Sequence, residues 1–379
     1  MARRQKVEPE GGPAPPRAAA VLRPPAEAQY ADELRDLAAA DAGPKPPGWR
    51  LSPRAVRDFV CGRREPPVRR KFYGDDVLIE RAVVGLSSNR GLMLVGEPGT
   101  AKSMLSELLA AAISGTSVNA IQGSAGTTED QIKYSWNYAL LLAEGPSRRA
   151  LIASPLYVAM RDGLLVRFEE ITRCPPEIQD AMVSVLSEKV LMVPELVGPE
   201  RVLQAKPGFN VIATANTRDR GVHEMSSALK RRFNFETVHP IRDLKQEIEL
   251  VARECDRLLR EADAPAAVPL DVVGLLVTVF HDLRAGVTGE GIRVETPGTV
   301  MSTAEAVSVA MSAGLDAYYY GDGRLTPAHV ARHLAGAVLK DNPDDLKKLT
   351  HYFDVVVRRR SEKEGGLWTD LHAARTGLP

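Results

Sequence analysis

The chain of 379 residues is poor in cysteine, with three, and in aromatic side chains, at 5%. Cys61, Cys174 and Cys255 are odd in number, widely spaced and never in a C-x-x-C pair, which excludes a disulfide framework and a zinc knuckle and suits thiols kept in a reducing compartment. No uninterrupted apolar run approaches the ~18 residues of a membrane span. The basic N-terminus is not followed by the apolar stretch that directs export. A soluble, cytoplasmic protein with no membrane partner is therefore expected. Net charge is lacking too, at 49 basic against 49 acidic residues, which argues against a broadly basic nucleic-acid-binding surface. The balance is uneven, however: residues 1 to 72 carry 15 basic and nine acidic side chains, leaving 34 and 40 for the rest.

Proline is concentrated where the basic excess lies. Nine of the 27 prolines fall in the first 50 residues, a composition that predicts a mobile Pro/Ala-rich arm over 1–50, with Tyr30, Leu34 and Leu37 marking one helical island. Order is expected from Ser52-Pro53, an N-cap followed by proline in the first helical position. From the buried-strand pattern Gly91-Leu92-Met93-Leu94-Val95 onward, strands alternate with helices to about residue 240, including a long helix predicted over 129–143. That alternation predicts an α/β fold, a parallel sheet covered on both faces, over 51–240. Beyond it an all-helical domain is expected over 241–360 and a short tail over 361–379, with Arg358-Arg359-Arg360 closing the last helix.

The chemistry gathers at strand ends. Gly96-Glu97-Pro98-Gly99-Thr100-Ala101-Lys102-Ser103, followed by Met104, lies between a buried strand and a helix. Its backbone N–H groups and helix N-terminus suit phosphate oxygens, Lys102 suits the β/γ-phosphates of a nucleotide and Ser103 offers a hydroxyl to Mg²⁺. Ala101 replaces the glycine usual before this lysine, and a helical conformation is expected to accommodate it. Some 66 residues later an apolar strand ends in Glu169-Glu170, where the first acid suits the metal shell and the second suits activation of water. Arg167 in that strand needs a buried partner. The strand Phe209 to Asn216 ends at the same sheet edge, so Asn216 is a candidate to orient the hydrolytic water. Arg231-Arg232-Phe233 offers cations for a neighbouring subunit's nucleotide.

Taken in this order, ahead of an all-helical lid, these elements resemble an AAA+ ATPase: a P-loop NTPase core with a C-terminal helical domain. Gly-Glu-Pro-Gly-Thr-Ala-Lys-Ser at 96–103, Glu-Glu-Ile-Thr-Arg-Cys-Pro-Pro-Glu-Ile-Gln at 169–179, Ile-Ala-Thr-Ala-Asn-Thr at 212–217 and Arg-Arg-Phe at 231–233 resemble the MoxR group in particular. The resemblance spans about residues 70–345. It implies that Tyr73 and Gly74 begin an adenine-contacting segment, and that Arg232, with Arg231 second, acts in trans. It also implies a homo-oligomer, a hexameric ring, and a protein client, often one with a von Willebrand factor A domain. The lid arginine of the group is absent, because Ser302-Thr303 is followed by Ala304-Glu305; Arg293 in the preceding loop is the candidate substitute.

ATP and Mg²⁺ are thus the expected cofactors and ATP hydrolysis the expected reaction. Two other readings are a nucleic-acid-dependent motor, and a slow nucleotide-gated scaffold suggested by Glu169 and the missing lid arginine. His329 and His333 are expected as exposed or capping side chains, and Tyr318-Tyr319-Tyr320 as packing residues. Trp136 is a weaker candidate for client contact.

Overall fold

The computed structural model describes residues 23–65, 67–216, 223–340 and 342–377. The chain enters through two short helices, α1 (Ala26–Gln29) and α2 (Ala31–Ala40), then α3 (Pro53–Cys61) and α4 (Asp76–Leu86). Ser52 accepts from Ala55 N–H and caps α3 ahead of Pro53, as its sequence predicts.

The expected arm over 1–50 is corrected here. Residues 1–22 lie outside the described residues, but from Arg23 the chain is bound to the core. Leu37 and Trp49 are buried in the same cluster as Phe59 and Leu109. Glu27 accepts from the Ser117 hydroxyl at 2.7 Å, and Glu107 accepts from Ala26 N–H at 3.1 Å. Lys71, itself buried, donates to Glu33 at 2.5 Å and lies 4.2 Å and 4.8 Å from the ring centres of Phe59 and Tyr30. Composition alone missed these charged anchors.

The core continues through β1 (Gly91–Gly96), α5 (Lys102–Ser114), β2 (Ala120–Gln122), α6 (Glu129–Ile132), β3 (Tyr134–Trp136), α7 (Tyr138–Glu144), β4 (Leu151–Ala153) and α8 (Pro155–Asp162). It closes with β5 (Leu165–Glu169), α9 (Pro176–Glu188), β6 (Val190–Met192), β7 (Val202–Gln204), β8 (Asn210–Asn216), α10 (Ser227–Lys230) and β9 (Phe233–Val238). Five strands form one parallel sheet in the order β2-β5-β8-β1-β9, so β1 is an interior strand between β8 and β9 and its Leu92, Met93 and Leu94 are wholly buried. The helix predicted over 129–143 is instead split. Tyr134-Ser135-Trp136 pairs antiparallel with Leu151 to Ala153, and Asn137 then caps a separate helix.

Among the described residues the regular elements of the C-terminal domain are helices: α11 (Leu244–Glu261), α12 (Leu270–Ala285), α13 (Thr303–Tyr320), α14 (Pro327–Val338), α15 (Asp344–Tyr352), α16 (Arg358–Glu364) and α17 (Leu367–Ala373), with a π-helical turn over Phe353–Val357. The expected tail is part of it, since Leu371 is buried in the domain core and Trp368 packs against that core. Arg360 is no dipole-matching surface cation either. It is buried, pairing with Asp282 and Glu290 at 2.8 Å each and lying 4.6 Å from the Trp368 ring. Tyr318, Tyr319 and Tyr320 are exposed rather than packed, because α13 ends at the surface. His329 caps Thr326 and His333 pairs with Asp316. All three cysteines are buried, and burial pushes the Cys61 and Cys255 thiols up to about 12. Among the described residues no helix is long and apolar enough to cross a membrane.

Candidate functional site

β1 ends at Gly96 and α5 begins at Lys102, so the intervening loop turns sharply at the carboxyl edge of the sheet. A Cβ at Gly96 would stand 2.3 Å from Val238 O, and one at Gly99, where φ is +75°, would stand 2.2 Å from Ser302 Oγ. Only glycine fits either place, and the backbone itself lines the loop. Ala101 is not helical, as its sequence suggested, but left-handed at φ 65°. The missing glycine therefore leaves an alanine under strain of about 1 kcal/mol. Lys102 lies nearly buried along the loop, its Nζ donating to Gly96 O at 3.1 Å and Glu97 O at 2.7 Å.

The carboxylate of Glu169, at the end of β5, is buried against the first turn of α5. It accepts from Ser103 Oγ at 2.7 Å, Ser106 Oγ at 2.5 Å and Thr214 Oγ1 at 2.8 Å, and it pairs with Arg167 at 2.9 Å. Burial would push this carboxyl up, but the Ser106 hydroxyl, the Arg167 guanidinium and the other two hydroxyls more than offset it and hold it below the ordinary range. Arg167 thus finds the partner its strand position demanded, and it also donates to Ser117 O at 3.0 Å. Sequence reasoning missed Ser106 and Thr214. Their signals were periodic: Ser106 follows Ser103 by one helical turn, and Thr214 shares a strand face with Asn216.

Glu170 leaves the strand in a left-handed turn, φ 54°, with its N–H on Thr214 Oγ1 at 2.9 Å and its carboxylate on Arg173 at 2.6 Å. Asn216 is in register with Gly96 across β1 and β8, so it ends beside the loop. Tyr73 is half-buried and accepts from Arg253 of α11 at 2.6 Å, which joins the expected adenine segment to the helical domain. Gly74, next in the chain, is exposed, as is Met104 in the first turn of α5.

Arg231 and Arg232 are not brought to this loop. They precede Phe233, which pairs with Gly91, whereas Gly96 pairs with Val238. Five residues of strand, roughly 16 Å, separate them from their own chain's Gly96. Arg231 is exposed, while Arg232 donates to Ser187 Oγ at 2.8 Å and Ala228 O at 2.7 Å.

The helical domain reaches the loop through Ser302. Its hydroxyl accepts from Glu305 N–H at 3.2 Å and caps α13, while its side chain covers Gly99. Ala304 also faces Gly99, its Cβ 3.9 Å from the position of an added Cβ. An uncharged residue therefore stands where the lid arginine was expected, and Arg293 forms an isolated bridge with Val287. A cleft of about 1010 Å³ opens between Glu97-Pro98, the hinge at His239 to Arg242, and Arg284 and Lys340 of the helical domain.

Known proteins match both parts. Residues 91–233 fit the AAA domain of the dynein-related subfamily, and residues 245–379 fit the YehL-like AAA+ ATPase C-terminal domain. The YehL protein of Escherichia coli (strain K12) is 52% identical over 358 residues, covering 94% of this chain and 98% of that protein. A Staphylococcus haemolyticus protein is 28% identical over 159 residues, covering 42% of this chain and 59% of its own length. Among solved structures, NtrX from Brucella abortus in complex with ADP aligns with a TM-score of 0.47 at 12% identity, over 81% of this chain and 70% of that one. With a near-full-length relative at 52% identity and its C-terminal domain model matched to residue 379, the chain belongs to the YehL-like AAA+ ATPases.

Proposed function

We propose that the chain binds ATP with Mg²⁺ and hydrolyses it to ADP and phosphate, acting in the cytoplasm as a MoxR-like remodelling ATPase. The observation that carries this reading is the 2.7 Å hydrogen bond from Ser103 to Glu169 at the lip of a glycine-lined loop. The residues fit the group: Gly96 and Gly99 leave backbone, not side chains, facing the loop, and Ser103 and Glu169 supply the oxygen donors that magnesium prefers. When bound, Mg²⁺ supplies charge neutralisation at the phosphates.

In this reading the N–H groups from Gly99 to Ser103 hold phosphate oxygens, and Lys102 exchanges the loop carbonyls for the β/γ-phosphates. Glu170 accepts a proton from the attacking water and Asn216 orients that water. The separation of Arg231 and Arg232 from their own loop supports a role on a neighbouring copy, with the exposed Arg231 free to reach outward and Arg232 tethered at the helix end. A ring of six copies, and a client carrying a von Willebrand factor A domain, accompany the MoxR likeness. A second reading, a slow nucleotide-gated scaffold, is favoured by the Arg167–Glu169 pair and by Ala304 at the lid contact.

Steady-state ATP turnover of the wild type beside Lys102→Ala and Glu170→Gln tests the proposal. Turnover well above both variants is the expected result, and equal background in all three would overturn it. Restored activity on mixing Arg231→Ala/Arg232→Ala subunits with Glu170→Gln subunits would establish action in trans.

A further inference from the structure

The structure assigns to Arg284 and Thr303, both held by the buried Glu247, the task of positioning the helical domain against the phosphate loop, and this rests on the ATPase reading above. Glu247 of α11 has no exposed surface. It accepts from Thr303 Oγ1 at 2.6 Å and Arg284 Nη2 at 2.8 Å, and it pairs with His281. A carboxylate so enclosed stays only if its partners stay, because losing one leaves a buried charge unpaired.

Arg284 has further donors, and they go to backbone. One reaches Met301 O at 3.1 Å and another Ile241 O, in the hinge after β9, at 3.4 Å. The planar guanidinium thus fixes three points in one geometry, which an ammonium cannot do. Met301 and Thr303 flank Ser302, and Ser302 covers Gly99. Hinge, helical domain and loop cover are therefore tied through one buried carboxylate. A shift at the hinge carries Ser302 with it, and Gly99 gains or loses its cover. With Ala304 at the contact, this hydrogen-bonded seat stands where a charge from the lid was expected.

Three variants test the assignment in the full-length chain: Thr303→Val, which keeps shape and loses the donor; Thr303→Ser, which keeps the donor; and Arg284→Lys, which keeps the charge and loses the fork. Hydrogen exchange of the nucleotide-free protein is the first readout. Thr303→Val and Arg284→Lys are expected to speed exchange over residues 97–104 about tenfold, the scale on which loss of a supporting hydrogen bond is felt at a site. Amides over 309–317 should keep wild-type protection, and Thr303→Ser should match the wild type. In ATP turnover the same two variants should lose about tenfold in kcat with KM changed much less. Wild-type exchange over 97–104 in both would overturn the assignment, and so would equal loosening of 309–317, which marks a general packing defect. A wild type without turnover counts against the ATPase reading alone, since the exchange readout still decides this one.

Discussion

Two buried carboxylates, one in each domain, are built from nearly the same parts and do different work. Glu169 collects three hydroxyls and an arginine from its own strand; Glu247 collects one hydroxyl, an arginine and a histidine from two neighbouring helices. Both are held below the ordinary carboxylate range, Glu247 at about 2, where burial is outweighed by His281 and Arg284. What separates them is access. Glu169 ends a strand beside the glycine-lined loop, where the proposed ATPase reading needs an oxygen ligand. Glu247 is closed on every side and can only hold helices together. The donor set alone therefore does not single out a candidate metal ligand; the position at the sheet edge does.

The largest test of that contrast is Glu247→Ala, which leaves Arg284 and His281 without their anion and is expected to cost about 3–5 kcal/mol in denaturant unfolding of the helical domain. A loss under about 1 kcal/mol would make Glu247 a bystander. Next, Glu169→Gln should lower ATP turnover about 10²-fold while ADP binding, followed by calorimetry, survives. Unchanged turnover would reduce Glu169 to a pin like its counterpart.

Acid sharpens the comparison further. Because the folded carboxyl of Glu247 lies at about 2 against an ordinary 4.5, its contribution is complete above pH 4.5 and drains away as pH falls toward 2. Glu247→Gln should therefore flatten the stability–pH curve in that window relative to the wild type. The smallest effect belongs to Ala101→Gly, which relieves the left-handed alanine and should raise core stability by about 1 kcal/mol, read as a shift in urea midpoint.

The local motifs were legible because their chemistry is contiguous. Gly96 to Ser103, Glu169-Glu170 and Asn216 each sit at a strand end, and a parallel sheet brings such ends to one edge. Ser106 and Thr214 were legible only by period, one helical turn from Ser103 and one strand face with Asn216, because a hydroxyl does not name the carboxylate it will meet. Arg167 was half legible: a charge inside an apolar strand announces a partner without naming it. Residues 23–50 misled in another way. Their proline and alanine content reads as mobile, yet Tyr30, Leu34 and Leu37 lie at helical spacing, and Glu27 and Glu33 fasten them to Ser117 and Lys71. Beyond residue 360 the misleading signal was charge, since Arg360 is a buried ion-pair partner and Trp368 its cover.

The clasp around Lys71 bears on where this protein can be cut. A shortened version beginning at Ser52, the boundary that composition recommends, would strip Tyr30 and Glu33 from a lysine that stays buried two residues before Tyr73. It would also open the apolar surface that Leu37 and Trp49 now cover. Such a fragment is expected to be sticky and poorly soluble, and the smallest well-behaved unit to produce starts no later than Arg23.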